Sequence, residues 1–312
     1  MTALEPSGIV LLNKPPGLTS FQSLDAVKKF FSTSKVGHAG TLDKFASGLL
    51  LVLVGRAVKL TPWVSGCDKH YEGIIRFGVE TDTLDPEGVP VARGDIPSRE
   101  VLEEVLPRFR GDIFQAPPAY SAIHLGGKRA SQRVRDGEPV EMEKRPVTVY
   151  ALDLLSYEPP VASVHVHCSK GTYIRSLARD VALAAGSRGH LQALTRTQAA
   201  GFYLSQALEF SSLSPGKEPS PRVLTPLEPE AFEALGIPVV FTDTSTAESI
   251  SRGIPLDRLI REKRVIPPPD SRIAVAGLFR SGACAGRDGD FLGIIEEKTA
   301  GVWSYGYVYA RS

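Results

Sequence analysis

The sequence predicts an α+β fold that is followed by a small C-terminal β-barrel. Apolar residues recur at helical spacing in segment 20–31, and segment 172–185 is a second predicted helix, which Gly186 ends. Segments 147–157 and 161–168 predict an antiparallel pair of strands, because apolar and polar side chains alternate in the second of them. After residue 237 the strands become short and glycines separate them, a pattern typical of a barrel.

The remaining elements follow from the same patterns. Buried strands are predicted where apolar runs stop at Gly or Pro, at 8–12 and 49–54, and a further strand is predicted at 71–79. Ser98 caps a helix that continues to about residue 109. Residues 82–97 are predicted to form a turn-rich acidic segment, and residues 120–145 are predicted to form a mobile basic insertion. A proline-rich linker with a short helix is predicted at 207–236, and three C-terminal strands are predicted at 272–277, 291–296 and 303–309.

Composition excludes several classes of protein. The 312 residues include 42% apolar and 23% charged residues, enough for one large domain or two. The longest apolar run has six residues, 49–54, whereas a membrane helix needs about 20. The N-terminus lacks a secretory pattern. The three cysteines, Cys67, Cys168 and Cys284, are odd in number and have no CxxC spacing, which fits neither a disulfide framework nor a zinc site. We therefore expect a cytoplasmic protein with reduced thiols.

Three segments carry reactive side chains. In the glycine-rich loop 37–48, Asp43 is a nucleophile, a general base or a turn former, and composition alone favours the turn. Tyr173 and Arg175 lie at the start of a helix, where the arginine either pairs with a carboxylate of a neighbouring loop or is solvated. Tyr71 begins a strand, where it either stacks on a base or packs in the core.

Together with two further segments, they form an ordered set. It resembles the motif set of the TruB family of tRNA pseudouridine-55 synthases in five places: GIVLLNKPPGLTS at 8–20, the loop 38–48, Lys-His-Tyr at 69–71, GVETDTLDPEG at 78–88 and CSKGTYIR at 168–175. The C-terminal stretch resembles the PUA domain that ends many of these enzymes. The resemblance implies the pseudouridine synthase fold, in which helices and loops flank a mainly antiparallel mixed sheet. It also implies a catalytic domain at 1–236 and a PUA-like RNA-binding domain at 237–312.

The resemblance also implies an activity. The enzyme would be an isomerase that converts the tRNA T-loop uridine at position 55 to pseudouridine after flipping the base, without a cofactor or a metal. Asp43 would be the catalytic aspartate, acting either on carbon 6 of the base or on the sugar. Arg175 would be its partner, and Tyr173 would be the general base that removes the proton from carbon 5.

The same resemblance assigns the substrate-binding residues. Tyr71 would stack on the flipped base, Leu194 would pack beside it, and His38 would insert into the T-loop. Lys14, next to Pro15, would brace the catalytic loop. The insertion 120–145 resembles the family's thumb, and its residues Lys128 and Arg129 would contact phosphates.

Two residues depart from the family pattern: Lys44 stands where proline is common, and Thr195 where a second arginine is common. Lys44 either leaves the loop looser or adds a phosphate contact.

Alternative hypotheses are the same chemistry on another RNA, guided by partner proteins, or a protein that only binds RNA. The thumb and the full set of motif residues favour a monomeric enzyme that acts on the tRNA T-arm without an obligatory protein partner.

The net charge of +1 conceals a segregated distribution of charge. Residues 124–135 hold four basic and no acidic side chains, and residues 170–198 hold five basic side chains against Asp180 alone. Acidic residues dominate segments 82–104 and 207–238. The sequence therefore predicts one basic groove with acidic surfaces elsewhere.

Overall fold

The computed structural model describes residues 6–213, 223–268, 275–281, 291–299 and 301–309. Cys284, part of the expected linker and the beginning of the strand expected at 272–277 lie outside these residues. Among the described helices, none combines the length and the hydropathy that crossing a membrane requires.

The strands of the described residues are β1 (Gly8–Lys14), β2 (Val36–Ala39), β3 (Ser47–Val54), β4 (Lys69–Phe77), β5 (Val79–Thr81), β6 (Pro90–Arg93), β7 (Gly111–Gln115), β8 (His124–Leu125), β9 (Lys128–Arg129), β10 (Arg145–Glu158), β11 (Val161–Cys168), β12 (Gly189–Ala199), β13 (Phe202–Tyr203), β14 (Leu208–Glu209), β15 (Val239–Thr242), β16 (Val275–Arg280), β17 (Phe291–Thr299) and β18 (Val302–Val308).

The helices are α1 (Ser20–Phe31), α2 (Thr61–Val64), α3 (Arg99–Val105), α4 (Ala130–Arg135), α5 (Ile174–Ala184), α6 (Pro229–Ala234), α7 (Thr244–Ser251) and α8 (Leu256–Arg261). Short 3₁₀ helices occupy Gly55–Leu60, Leu106–Phe109, Leu204–Gln206 and Phe210–Ser212.

A large mixed sheet forms the main body. Its strands follow the order β14-β1-β3-β12-β4-β11-β10-β7, with β2 paired to β3 and β13 paired to β12. The pairs β1–β14 and β3–β12 are parallel, and the other pairs are antiparallel. The expected mixed, mainly antiparallel sheet is therefore confirmed. The antiparallel pairing of β10 with β11 is also confirmed.

Helices α1, α3 and α5 cover one face of this sheet. Thr19 forms a capping box with Gln22 at the start of α1. Leu24 and Val27 of α1 pack in the same core as Leu177 and Val181 of α5. This packing fixes the beginning of α5 above strands β4 and β12, where the candidate site lies.

A separate four-stranded sheet, in the order β15-β16-β17-β18, follows near the C-terminus. Within the described residues it remains open and does not close into the expected barrel. Phe232, Phe279 and Phe291 form an aromatic cluster in a core that also contains Ile9 and Leu51 of the main sheet. The two sheets therefore share apolar packing.

Several elements differ from the sequence-based expectations. The loop before β3 contains the strand β2, and the thumb 120–145 contains a two-stranded ribbon and the helix α4. In the expected linker, Leu208 pairs with Leu12, and Thr225 exchanges backbone hydrogen bonds with Ile9. These short pairings depend on partners that are distant in sequence, so local patterns do not predict them.

Candidate active site

Asp43 lies in a short loop between β2 and β3 that several contacts hold in place. Gly40 has a φ of +81°, which L side chains rarely adopt. The Ser20 hydroxyl, at the start of α1, accepts a hydrogen bond from the Leu42 amide at 2.8 Å. The Gly17 amide donates to the Lys44 carbonyl at 2.8 Å. The loop is therefore anchored on both sides of Asp43.

Arg175, in the first turn of α5, lies against Asp43. Its Nη2 donates to Oδ1 at 3.0 Å, and its Nε lies 2.9 Å from Oδ2. The arginine side chain is only 5% exposed, whereas that of Asp43 is 37% exposed, so water reaches the carboxylate and screens this charge pair in part. Of the two alternatives for Arg175, the structure therefore has the pairing with a carboxylate of a neighbouring loop.

A second carboxylate holds the other side of Arg175. Nη1 donates to Asp85 Oδ2 at 3.3 Å and to the Thr83 carbonyl at 2.9 Å, while Nη2 also donates to the Tyr120 carbonyl at 3.1 Å. Asp85 is buried and accepts the Thr83 hydroxyl at 2.6 Å. One guanidinium thus bridges the loops that carry Asp43 and Asp85 and the beginning of the thumb.

Burial raises the pKa of Asp43 above its usual value, and the nearby Asp85 raises it further. The charge and hydrogen bond of Arg175 and the charge of Lys14 oppose this rise. The carboxylate is therefore held in a partly desolvated position by fixed cations. An oxygen in such a position is suited to act as a nucleophile or a base.

Lys14 lies beneath the loop and is completely buried. Its Nζ donates to the Pro15 and Leu18 carbonyls at 2.8 and 2.7 Å. Burial lowers its pKa to about 8, while Asp43 acts in the opposite direction. Lys14 therefore supports the segment that packs under Asp43 and contributes positive charge below it.

A cleft of about 580 Å³ opens above Asp43. Its walls include Tyr71 on β4, Leu194 on β12 and Tyr173, which immediately precedes α5. Tyr71 and Leu194 are each 7% exposed, so they present little more than one surface to the cleft. Burial raises the pKa of both tyrosines, so both phenols are protonated in the free site. The arrangement suits a flat ring enclosed by aromatic and apolar side chains.

The ionised side chains of the cleft are predominantly basic. The lining includes one carboxylate, Asp43, and five cations: Lys69, Arg129, Arg135, Arg175 and Arg196. Arg196 is 1% exposed and donates to the carbonyls of Leu49 at 2.6 Å and Gly40 at 3.1 Å. This excess of positive charge agrees with the predicted basic groove.

Not every residue expected in the site reaches the cleft. Arg129 lines it, whereas Lys128 pairs with Glu138 at 3.2 Å. His38 lies on β2, outside the cleft lining, and its Nδ1 is buried without a hydrogen-bond partner. The cleft therefore brings together Asp43, Tyr71, Tyr173, Arg175, Leu194 and Arg129, with Lys14 beneath it.

Three further residues of the site, Asp85, Arg196 and Gln115, do not follow from the sequence motifs. Asp85 lay within the segment 78–88, but nothing in its local pattern indicated that it would meet Arg175. Arg196 was counted as a basic residue without a structural role. Gln115 is 2% exposed and accepts the Tyr173 amide at 2.8 Å, which fixes the chain before α5. Each of these contacts spans more than 50 residues of sequence, so spacing alone could not reveal it.

Several known proteins are similar to this chain in sequence. Residues 28–174 match the model of the N-terminal domain of the TruB family of pseudouridylate synthases. The tRNA pseudouridine synthase B of Borreliella burgdorferi (strain ZS7) is 46% identical over 211 residues, which cover 67% of this chain and 75% of the relative. That of Pseudomonas aeruginosa (strain UCBPP-PA14) is 46% identical over 208 residues, or 66% of this chain and 68% of the relative.

Solved structures with the same fold are more distant in sequence. A Cbf5–Nop10–Gar1 complex matches with a TM-score of 0.68 at 22% identity, covering 96% of this chain and 83% of the other. An H/ACA RNP bound to a substrate RNA containing 2′-deoxyuridine matches with a TM-score of 0.64 at 19% identity, covering 97% and 85%. These similarities establish the fold.

Proposed function

This chain belongs to the TruB family of pseudouridylate synthases, and we propose that it converts the uridine at position 55 of the tRNA T-loop to pseudouridine. The observation that carries the proposal is the carboxylate of Asp43, which Arg175 holds at the base of a cleft lined by Tyr71, Tyr173 and Leu194. The relatives described above are tRNA pseudouridine synthases B, which supports tRNA as the substrate.

The reaction is an isomerisation that needs no added group. The bond between N1 of uracil and C1′ of ribose breaks, the base rotates, and a bond forms between C5 and C1′. C5 loses one proton and N1 gains one, so atoms and electrons balance. The protein must therefore supply a nucleophile or base, hold the detached ring, and transfer a proton.

Asp43 supplies the reactive oxygen. It either attacks C6 of the base or acts on the sugar, by attacking C1′ or by removing the 2′ proton. Both routes need an ionised carboxylate, and Arg175 favours ionisation against the desolvation that burial imposes. Because Arg175 is itself held by Asp85 and the Thr83 carbonyl, the carboxylate keeps a fixed direction as the reaction proceeds.

The aromatic residues hold the base. Tyr71 stacks on the flipped uracil and Leu194 packs against it, which retains the ring after the glycosidic bond breaks. Tyr173 accepts the proton from C5. Because burial keeps its phenol protonated in the free site, Tyr173 first gives the phenolic proton to N1 as the glycosidic bond breaks, and the phenolate then takes the proton from C5. Arg175 lowers the pKa of this phenol and favours the step, whereas the charge of Asp43 raises it.

The RNA backbone binds to the basic rim of the cleft, where Arg129 and Arg135 project from the thumb. His38 lies on β2, the strand that leads into the catalytic loop. It inserts into the T-loop and occupies the space that the flipped base leaves. Neutralising about four to six phosphates would make the affinity fall steeply with salt concentration. Recognition depends mainly on the shape of the T-loop and on the extruded base.

We further propose that residues 1–236 form the catalytic unit and residues 237–312 a PUA-like unit that binds RNA. The four-stranded C-terminal sheet and its packing against the main sheet support this division. The enzyme is proposed to act in the cytoplasm as a monomer, with tRNA as its only required partner.

Tritium release from tRNA labelled at C5 of uracil tests this function. The purified chain should release tritium from a tRNA transcript, and mapping of the product should place pseudouridine at position 55. Asp43→Asn should reduce release below detection while RNA binding persists. RNA binding without release by the unmodified chain would instead indicate a protein that only binds RNA, and release by Asp43→Asn would remove the role of Asp43.

A further inference from the structure

Lys44 and Glu87 connect the two loops whose carboxylates hold Arg175. Lys44 directly follows Asp43, and Glu87 lies two residues after Asp85. The Lys44 ammonium lies 2.9 Å from Glu87 Oε1. The pair thus closes a ring in which the guanidinium joins the two loops on the inside and this ion pair joins them on the surface.

The Glu87 end of the pair is hydrogen-bonded through its backbone to the Asp85 carboxylate, and the Lys44 end is joined to Asp43 as the next residue of the same anchored loop. The Glu87 amide donates to Asp85 Oδ1 at 3.0 Å. On the other loop, the Ala46 amide donates to the Asp43 carbonyl at 3.2 Å, and the Lys44 carbonyl accepts the Gly17 amide. A displacement of Glu87 would therefore move the carboxylate of Asp85, and a displacement of Lys44 would move the residue that bears the catalytic oxygen.

We propose that the Lys44–Glu87 ion pair is a latch that fixes the spacing of Asp43 and Asp85 around Arg175. Lys44 and Glu87 are therefore positioning residues for the isomerisation. The inference rests on the proposed function and extends it to the surface of the site. The latch replaces the two alternatives that the sequence allowed for Lys44, a looser loop and a phosphate contact, because the Lys44 ammonium is already paired with the Glu87 carboxylate.

A double-mutant cycle on Lys44 and Glu87 tests the latch. Lys44→Met and Glu87→Gln each remove one charge, and each should lower the single-turnover rate at saturating tRNA by about two- to fivefold, the range expected for an exposed pair. The double variant Lys44→Met/Glu87→Gln should be no slower than either single variant. The reversed pair Lys44→Glu/Glu87→Lys should recover to within about twofold of the parent rate. RNA affinity should change little throughout.

The dependence of the single-turnover rate on pH distinguishes a positioning role of the pair from a direct effect of its charges on the pKa of Asp43. Removing the negative charge of Glu87 would by itself lower the pH at which the rate falls on the acid side, and removing the positive charge of Lys44 would raise it. A loosened latch weakens the contact between Arg175 and Asp43, so both neutral variants should move the acid limb to higher pH. The control is the exposed ion pair between Glu104 of α3 and Arg108 of the 3₁₀ helix that follows, whose neutral variants should change neither rate nor profile.

Three results would overturn the latch. They are additive effects in the double variant, a reversed pair no faster than the single variants, and a Lys44→Met variant that loses RNA affinity while Glu87→Gln does not. Failure of the proposed function would differ from all of these, because the unmodified chain would release no tritium. In that case the coupling between the two charges is still measurable by urea unfolding, and a coupling of zero there overturns the latch independently.

Discussion

Arg175 serves two carboxylates, and this arrangement governs the site at the scale of single residues. Asp43 faces the cleft, while Asp85 lies buried behind the guanidinium. Because the planar guanidinium has five donors, it pairs with both carboxylates and still binds backbone carbonyls, which a lysine ammonium could not reproduce. The negative charge of Asp85 raises the pKa of Asp43 while its contact fixes Arg175.

Asp85→Asn should change both the rate and its pH dependence. Removing the second negative charge lowers the pKa of Asp43, so the acid limb of the single-turnover rate should move to lower pH. The rate near neutral pH should fall between about tenfold and a hundredfold, because Arg175 loses one of the contacts that direct it, while its bonds to the Thr83 and Tyr120 carbonyls still hold it beside Asp43. Tritium release between pH 4.5 and 8 measures both effects. Asp95→Asn, in an exposed loop, is the matched control, and an acid limb that moves upward in Asp85→Asn would contradict the argument.

At the scale of elements, the thumb orients its basic residues in different directions. The four basic residues of segment 124–135 do not act alike, because Lys128 and Arg133 both pair with Glu138, which lies just beyond that segment. Arg129 and Arg135 line the cleft instead. The charge count predicted a basic surface, but the fold of the ribbon and of α4 decides which charges face the cleft.

The thumb residues Arg129 and Lys128 therefore provide a matched pair. Arg129→Met should weaken tRNA binding by about three- to tenfold at low salt and reduce the slope of log affinity against log salt by about one. Lys128→Met should have a smaller effect on both quantities, because its charge is already shared with Glu138. Filter binding at several salt concentrations distinguishes them, and equal losses would show that both residues contact phosphate.

Strands β4 and β11 place three imidazoles together on the face of the main sheet opposite the core that contains Leu24 and Leu177. His70 stacks on His167 with ring centroids 3.9 Å apart, and its Nδ1 lies 3.2 Å from Nε2 of His165. Burial, with the two neighbouring imidazoles, lowers the pKa of His70, while Asp68 opposes the shift. The alternation of β11 predicted that its two histidines share a face, but only the register with β4 added the third.

This cluster should make stability depend on pH. Because the pKa of His70 is lowered in the folded state, the unfolded chain binds its proton first as the pH falls below about 6.5. The free energy of unfolding should therefore decrease from that pH downward until the folded-state pKa is passed. In His70→Gln the decrease should be shallower, whereas the exposed His124→Gln should follow the parent protein. Urea unfolding from pH 5 to 8 provides the measurement, and parallel curves for His70→Gln and the parent would refute it.

At the scale of the whole molecule, the two sheets are joined through shared packing and specific polar contacts. Trp63 Nε1 donates to Glu296 Oε1 at 2.7 Å, and the Tyr309 hydroxyl bonds to Ser7 Oγ at 3.0 Å. The Arg56 guanidinium lies over the Tyr309 ring, 4.7 Å from its centroid. A core that includes residues of both sheets couples their stabilities, so we expect them to unfold together.

Phe291→Ala tests this coupling. Phe291 is 1% exposed and contacts Phe232, Phe279 and Tyr309. Its truncation should lower the free energy of unfolding by about 3–5 kcal/mol and leave a single transition. Phe241→Ala is the control, because that ring lies on the same small sheet but is 53% exposed. Two separate transitions in calorimetry, with the main one unchanged, would show that the sheets unfold independently.

The sequence by itself determined the class of fold and the approximate positions of the long elements, and it indicated the residues proposed to carry chemistry. Helix caps, alternation and glycine-rich loops act within a few residues, so local pattern is enough to predict α1, β10 and β11, and the ordered motifs single out Asp43, Tyr173 and Arg175. Only the tertiary structure decided which groups meet. It placed Asp85 behind Arg175, Lys44 against Glu87 and Arg196 beneath Gly40, because these contacts depend on loops that converge from distant parts of the chain.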